Sequence, residues 1–130
     1  MMSNKELMEL AEQARKKAYA PYSGFRVGAA LLCADGSVYL GCNIENASFS
    51  PTCCAERVAV FKAVSDGKRD FCAIAIAGGK EDAKNACYPC GVCRQVMSEF
   101  CSESFKIVTA DGETTLGNLL PKSFDLSQGN

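Results

Sequence analysis

The chain has 130 residues, with 14 Lys and Arg against 15 Asp and Glu for a formal net charge of −1, nine Cys, and neither His nor Trp. Without an imidazole it cannot build a Ser-His-Asp or Cys-His triad, a His-Glu-x-x-His zinc protease site or a Cys₂His₂ finger, so its chemistry must rest on Cys, carboxylates, Lys or Arg. The length and a hydrophobic content of 48% describe one domain over residues 1–130, and the balanced charge excludes a protein that grips nucleic acid through a basic field, leaving a small or neutral substrate.

The N-terminus, MMSNKELMELAEQ, lacks the apolar stretch of a signal peptide, and no apolar run approaches the ~18 residues of a membrane span. The expectation is a cytoplasmic protein whose cysteines are thiols or metal ligands rather than a disulfide set. Ser3 and Glu6 have the spacing of a capping box, and Leu7, Leu10, Ala11, Ala14 and Ala18 recur at helical intervals, which predicts an amphipathic helix over 4–18. After Pro21, Ser23 and Gly24, the segments Phe25 to Cys33 and Val38 to Asn43 read as two strands joined by a hairpin turn at Asp35-Gly36.

Thr52 is the expected cap of a helix over 54–65. In it Val58, Ala59, Val60, Phe61, Ala63 and Val64 leave little polar surface, which fits either a central helix or a subunit interface. Phe71 to Ala77 reads as a buried strand ended by Gly78-Gly79. A helix from Gly91 places Val92, Cys93, Val96, Met97, Phe100 and Cys101 on its inner stripe. Phe105 to Ala110 is a further strand, Thr114 to Leu116 a short edge strand, and the tail after Pro121 is polar. Cys33, Cys42, Cys72 and Cys101 fall in or beside apolar segments as small hydrophobes. Strands alternating with helices after one hairpin indicate an α/β sheet layered with helices.

The chemistry is carried by Thr52-Cys53-Cys54-Ala55-Glu56-Arg57 and by Pro89-Cys90-Gly91-Val92-Cys93-Arg94-Gln95, both at predicted helix starts. A helix N-terminus stabilises a thiolate, and thiolates bind zinc. Structural zinc takes four protein ligands, whereas catalytic zinc takes three and keeps a position for water. Cys90 and Cys93 supply two ligands, and Cys54, Cys53 and Cys87 are the candidates for a third. Glu56 favours Cys54, because a carboxylate two residues after a ligand can reach the metal's water without itself becoming a ligand, as a proton shuttle must. Three cysteine ligands, a non-ligand Glu and a Pro-Cys-x-x-Cys segment form the arrangement of zinc-dependent base deaminases.

Over nearly its whole length the chain resembles the small zinc-dependent cytidine deaminases. Tyr22-Ser23-Gly24-Phe25-Arg26-Val27-Gly28-Ala29-Ala30 is similar to that family's first strand, Gly41 to Ser48 to its ribose-binding segment, and Leu119-Leu120-Pro121 with Phe124 to its C-terminal signature. The resemblance implies a three-layer α/β/α sandwich with a mixed five-stranded sheet and one zinc ion per chain. It would place Cys54, Cys90 and Cys93 on zinc, Glu56 as the proton shuttle, Asn43 and Glu45 on the ribose 3′-hydroxyl, Phe25 on the base, and Ala55 at the substrate. It also implies a homotetramer in which Ala47, Phe49 and Phe124 serve sites on neighbouring subunits. Two departures are visible: Phe49 stands where many relatives carry Tyr, and Cys53 beside Cys54 is outside the motif.

The implied reaction is hydrolysis of cytidine or deoxycytidine, with attack at C4 of cytosine and Glu56 carrying protons to N3 and then to the departing amine. Three thiolates leave a zinc site at a formal charge of −1 (2 − 3), so positive potential from outside the ligands is needed. The two helix N-termini supply some of it. Arg57 is expected to supply more by hydrogen-bonding ligand sulfurs. Three rivals remain: a structural-zinc module with Cys53 or Cys87 as fourth ligand, an iron–sulfur carrier using the Cys87-x-x-Cys90-x-x-Cys93 run, and a deaminase for another aminopyrimidine nucleoside.

Overall fold

A hairpin occupies one side of the sheet. In the computed structural model, which describes residues 1–127, β1 (Phe25–Cys33) and β2 (Val38–Cys42) pair antiparallel with Gly28 opposite Cys42 and Leu32 opposite Val38. The Asp35 carboxylate holds the turn, accepting from the Ser37 amide at 3.0 Å and from the Lys68 ammonium at 2.7 Å, while Gly36 takes the positive φ of 90°. β3 (Phe71–Lys80) lies antiparallel on the other side of β1. β4 (Lys106–Thr109) then runs parallel to β3, and β5 (Gly112–Thr115) closes the order β2-β1-β3-β4-β5. A parallel neighbour requires a crossover. Here the crossover carries α3 (Gly91–Phe100).

The central strands are apolar on both faces because helices cover both. α1 (Asn4–Arg15) packs Leu7 and Ala11 against Ala30, Leu32, Ala73, Ala75 and Val108. On the opposite face α2 (Ala55–Ser65) and α3 pack Ala59, Val60, Ala63, Cys93 and Met97 against Ala29, Leu31, Ile74, Ile76 and Ile107. The result is the expected three-layer arrangement around a mixed five-stranded sheet.

Two glycines fix how closely the helices lie on the sheet. A Cβ on Gly28 would fall 2.1 Å from the Ala11 carbonyl oxygen and 2.4 Å from the Arg15 nitrogen. On the other face, a Cβ on Gly41 would fall 2.3 Å from the Ala55 oxygen and 2.6 Å from the Ala59 nitrogen. Backbone therefore rests on backbone at both places, and the first turn of α2 is set directly by strand β2.

Several boundaries differ from those read in the sequence. α1 has the expected capping box but ends at Arg15 rather than residue 18, because Tyr19 leaves to bond with the Asn43 carbonyl at 3.0 Å. β3 continues through Gly78 and Gly79 to Lys80, whose partner is Phe25. The last strand begins at Gly112, and Leu116 starts the short helix α4 (Leu116–Leu119) instead of ending a strand. Val92 is exposed rather than on the inner stripe of α3, and Cys72 is exposed on β3 rather than a buried hydrophobe. On α2, Ala55, Glu56, Ala59, Val60 and Ala63 are buried while Phe61 faces outward.

Because the obstruction at Gly28 is backbone, Gly28→Ala must push α1 off the sheet. The expected outcome is a loss of more than about 2 kcal/mol of folding stability or failure to fold, read from thermal or denaturant unfolding, while Gly36→Ala, whose Cβ would meet open space, is limited to the strain of its positive φ.

Candidate active site

α2 and α3 begin at the same place. Cys54 is the N-cap of α2 with φ −70° and ψ 154°, and Cys90 is the N-cap of α3 with φ −69° and ψ 170°; neither side chain accepts a capping hydrogen bond from its helix backbone. The sulfurs are thereby free to face one another. Thr52 is not the cap: its hydroxyl accepts instead from the Asn46 amide at 3.0 Å and ties down the connection that precedes α2.

The Cys54 and Cys90 sulfurs are 3.8 Å apart, those of Cys90 and Cys93 are 3.6 Å apart, and all three lie within 4.8 Å of one another. Sulfurs bound to one tetrahedral zinc at ≈ 2.3 Å stand about 3.8 Å from each other, so the donor set and its spacing fit that ion. Neither rival cysteine joins this cluster among the described residues. Cys53 has its backbone paired with Ile44 through two hydrogen bonds of 3.0 Å. Cys87 packs on β3, its sulfur 3.0 Å from where a Cβ on Gly78 would stand, and burial, reinforced by Glu56 and Cys54, pushes its thiol up to about 11.

The metal-free thiols share their protons unequally. Hydrogen bonding from Cys93, assisted by Arg57 and Cys90, draws Cys54 well below the ordinary thiol range, and the same bond to Cys54 drives Cys93 upward. One Arg57 nitrogen, Nη2, lies 3.4 Å from the Cys54 sulfur and 3.4 Å from the Thr52 carbonyl oxygen. Its Nε is buried without a partner among the described residues, and Cys54 followed by Cys93 holds the guanidinium even more firmly in its charged form. The Arg57 guanidinium thus stands against the Cys54 sulfur.

Glu56 is 4% exposed in the first turn of α2. Burial raises its carboxyl to about 7, its own backbone amide and Arg57 oppose the rise, and Cys54 adds to it. A carboxyl able to gain or lose a proton near neutrality thus stands next to the sulfur cluster without belonging to it.

The expected sugar-binding pair braces the start of β1. Asn43 Oδ1 accepts from the Val27 amide at 2.8 Å and Nδ2 donates to the Phe25 carbonyl at 2.8 Å. Glu45 Oε1 accepts from the amides of Tyr22 and Ser23 at 2.9 and 3.1 Å, and Oε2 accepts from the Ser23 hydroxyl at 2.5 Å. The Ser23 hydroxyl, and then the two amides, hold this carboxyl below its ordinary value. The sequence marks Ser23 as part of the break before β1 but gives no sign of its hydroxyl bonding Glu45.

Tyr22, Ser23, Glu45, Phe49 and Thr52 line a shallow depression of about 420 Å³. Larger depressions of about 680 Å³ beside α1 and about 440 Å³ beside β2 contain none of the expected site residues. Phe25 is half-buried at the start of β1, whereas Ala55 is fully buried where α2 crosses Gly41. Ala47, Phe49 and Phe124 are exposed, and Phe49 takes a positive φ of 59° with its ring edge-on to Tyr22 at 6.5 Å.

Residues 1–109 match the family model of the cytidine and deoxycytidylate deaminase zinc-binding region. The chain is 48% identical to a cytidine deaminase of Sporosarcina psychrophila, covering 95% of this chain and 92% of that one. It is also 48% identical to a cytidine deaminase of Halalkalibacterium halodurans, over 99% of each chain. The crystal structure of a cytidine deaminase from Burkholderia pseudomallei aligns with a TM-score of 0.87 at 46% identity, covering 95% of this chain and all of that one.

Zinc removal should loosen both helix starts at once, since Cys54 and Cys90 are their caps. Treatment with a strong chelator is expected to lower the thermal unfolding midpoint. Among single replacements, Cys54→Ser should lose zinc measured by elemental analysis while Cys53→Ser keeps one ion per chain.

Proposed function

This chain belongs to the cytidine deaminase family, and from that premise we propose how its residues divide the hydrolysis of cytidine to uridine and ammonia. The observation that carries the reading is Glu56, a buried carboxylate beside three clustered cysteines but outside their ligand set. A structural-zinc module would need a fourth protein ligand, and Cys53 and Cys87 both stand outside the cluster. An iron–sulfur carrier would need Cys87, whose sulfur packs on Gly78.

Cys54, Cys90 and Cys93 hold the zinc. Bound there, the ion supplies the Lewis acidity that makes water nucleophilic at neutral pH. In the hydrolysis, oxygen from water bonds to C4 and the bond from C4 to the exocyclic amine breaks. Glu56 takes a proton from the water and gives it to N3, then takes the proton of the new C4 hydroxyl and gives it to the amine, which departs as ammonia as the C4 carbonyl forms. Its elevated affinity for a proton suits a group that must both accept and donate. Arg57, against the Cys54 sulfur, draws electron density from that ligand and offsets the negative charge of three thiolates.

Phe25 packs on the cytosine ring, and the amide of Asn43 with the carboxylate of Glu45 reaches the ribose 3′-hydroxyl using the donor and acceptor capacity that the β1 brace leaves open. Ala55, buried at the start of α2, belongs to the substrate-facing wall through the backbone that joins Cys54 to Glu56. Both contacts assigned to the sugar address the 3′-hydroxyl, so deoxycytidine is included in the substrate class. Ala47, Phe49 and Phe124 complete the site of a neighbouring subunit in a homotetramer. The outward position of Phe49, Phe61 and Phe124 supports this, since large exposed apolar side chains mark contact surfaces. The balanced charge supports a nucleoside over a polynucleotide, and nine free thiols support a cytoplasmic setting. No helix among the described residues is long and apolar enough to cross a membrane.

Glu56→Gln is expected to keep one zinc per chain and to lose roughly 10²–10⁴-fold in turnover, read as the slower fall of cytidine ultraviolet absorbance. Arg57→Ala should lower either turnover or zinc content, and unchanged values for both would remove its role. Sedimentation should give the mass of four chains. Mixed oligomers of Glu56→Gln and Phe124→Ala chains should show a lower KM than Phe124→Ala alone.

A further inference from the structure

Arg94 and Gln95 follow the ligand Cys93 directly, on the side of α3 that the helical pattern assigns to solvent, and neither has a part in the chemistry above. Arg94 is nevertheless half-buried. Its Nε donates to the Pro89 carbonyl at 2.7 Å, and its Nη1 donates to the Leu119 carbonyl at 2.8 Å. The first acceptor belongs to the residue before ligand Cys90. The second is the last carbonyl of α4, one of the terminal acceptors that a four-residue helix cannot satisfy internally. Next to it, Gln95 Nε2 donates to the Phe124 carbonyl at 3.2 Å.

Adjacent side chains of the metal-bearing helix therefore grip the two ends of one turn. Between these grips run Leu120, Pro121, Lys122 and Ser123, with Lys122 at a positive φ of 53°. Leu119 and Leu120 pack on the core, whereas the Phe124 side chain projects outward. Little apolar burial holds Phe124, so the hydrogen bonds at the two ends of the turn help to fix its backbone position.

We propose that Arg94 and Gln95 are a two-point latch that fixes the turn 119–124 on α3, making them positioning residues for Phe124 and, through it, determinants of nucleoside affinity at the neighbouring subunit's site. The affinity part rests on the reading of Phe124 as a residue acting in trans. A latch of this kind orders the aromatic ring before substrate arrives, so the ordering entropy is not charged to binding. Arg94 also joins the turn to the residue preceding Cys90, so the metal loop and the aromatic are held by one guanidinium. Its planar fork reaches two carbonyls in different directions, which a lysine ammonium on a single stem cannot reproduce in the same way.

The test uses the zinc-loaded full chain. Trypsin cleavage after Lys122, followed by mass spectrometry, reads the latch without substrate: faster release of the C-terminal fragment is expected in Gln95→Ala and Arg94→Ala, with Arg94→Lys between Arg94→Ala and the unsubstituted chain. Unchanged cleavage rates in all three would overturn the latch. Steady-state kinetics reads the rest. Gln95→Ala should raise KM for cytidine roughly fivefold, the value of one ordinary hydrogen bond, with kcat altered less than twofold and zinc content unchanged. Adding Gln95→Ala to Phe124→Ala should raise KM no further, because the latch acts through that residue. Additive effects, or a fall in kcat without a rise in KM, would overturn the affinity role. If Phe124→Ala leaves KM unchanged while cleavage is faster in Gln95→Ala, the latch stands as a structural device and the in-trans reading of Phe124 falls with the affinity role.

Discussion

Everything functional in this molecule depends on two helix N-termini meeting head to head. The capping residue of each helix, Cys54 for α2 and Cys90 for α3, makes no capping bond to its helix backbone and turns a sulfur toward the other. Unpaired amides and the aligned peptide dipoles at both starts then favour negative charge in the space between them. Three thiolates placed there would repel one another in an ordinary interior. Two positive helix ends, a guanidinium 3.4 Å from one sulfur and a divalent ion make the arrangement tenable.

The meeting point is set by packing that carries no charge at all. α2 lies on β2 with its Ala55 and Ala59 backbone over Gly41, and α3 reaches the same face through Cys93 and Met97. α1 is pressed on the opposite face at Gly28 by the same device. Glycine on the strand and alanine on the helix bring main chains together more closely than larger side chains would allow, so the site inherits its geometry from the sheet. The carboxylate proposed as the proton shuttle follows from this: Glu56 is buried because the first turn of α2 is pressed inward, and burial is the main reason that its proton affinity is high.

The capping box at Ser3, the Asp35-Gly36 hairpin, the bounds of β1 and the two cysteine motifs were legible in the sequence because each is a local pattern. Zinc spacing was legible for the same reason once Glu56 selected Cys54 over Cys53 and Cys87. What escaped were features decided by distant partners. α1 stops early because Tyr19 pairs with the 43–45 segment, and Cys72 is exposed near the start of β3. Thr52 looked like a cap but bonds to Asn46, since the cap position had passed to a cysteine that the site needs. Nor could the helical pattern show that Arg94 turns back to two carbonyls instead of pointing to water.

The brace at the start of β1 has a consequence for how the protein tolerates change. Asn43 and Glu45 hold Phe25, Val27, Tyr22 and Ser23 by their backbones with the same functional groups that would face a sugar. On the proposed reading, architecture and recognition share atoms at these two positions. Drift at either would disturb the chain's shape and its ligand preference together, so a lineage seeking a different sugar has little room to move here.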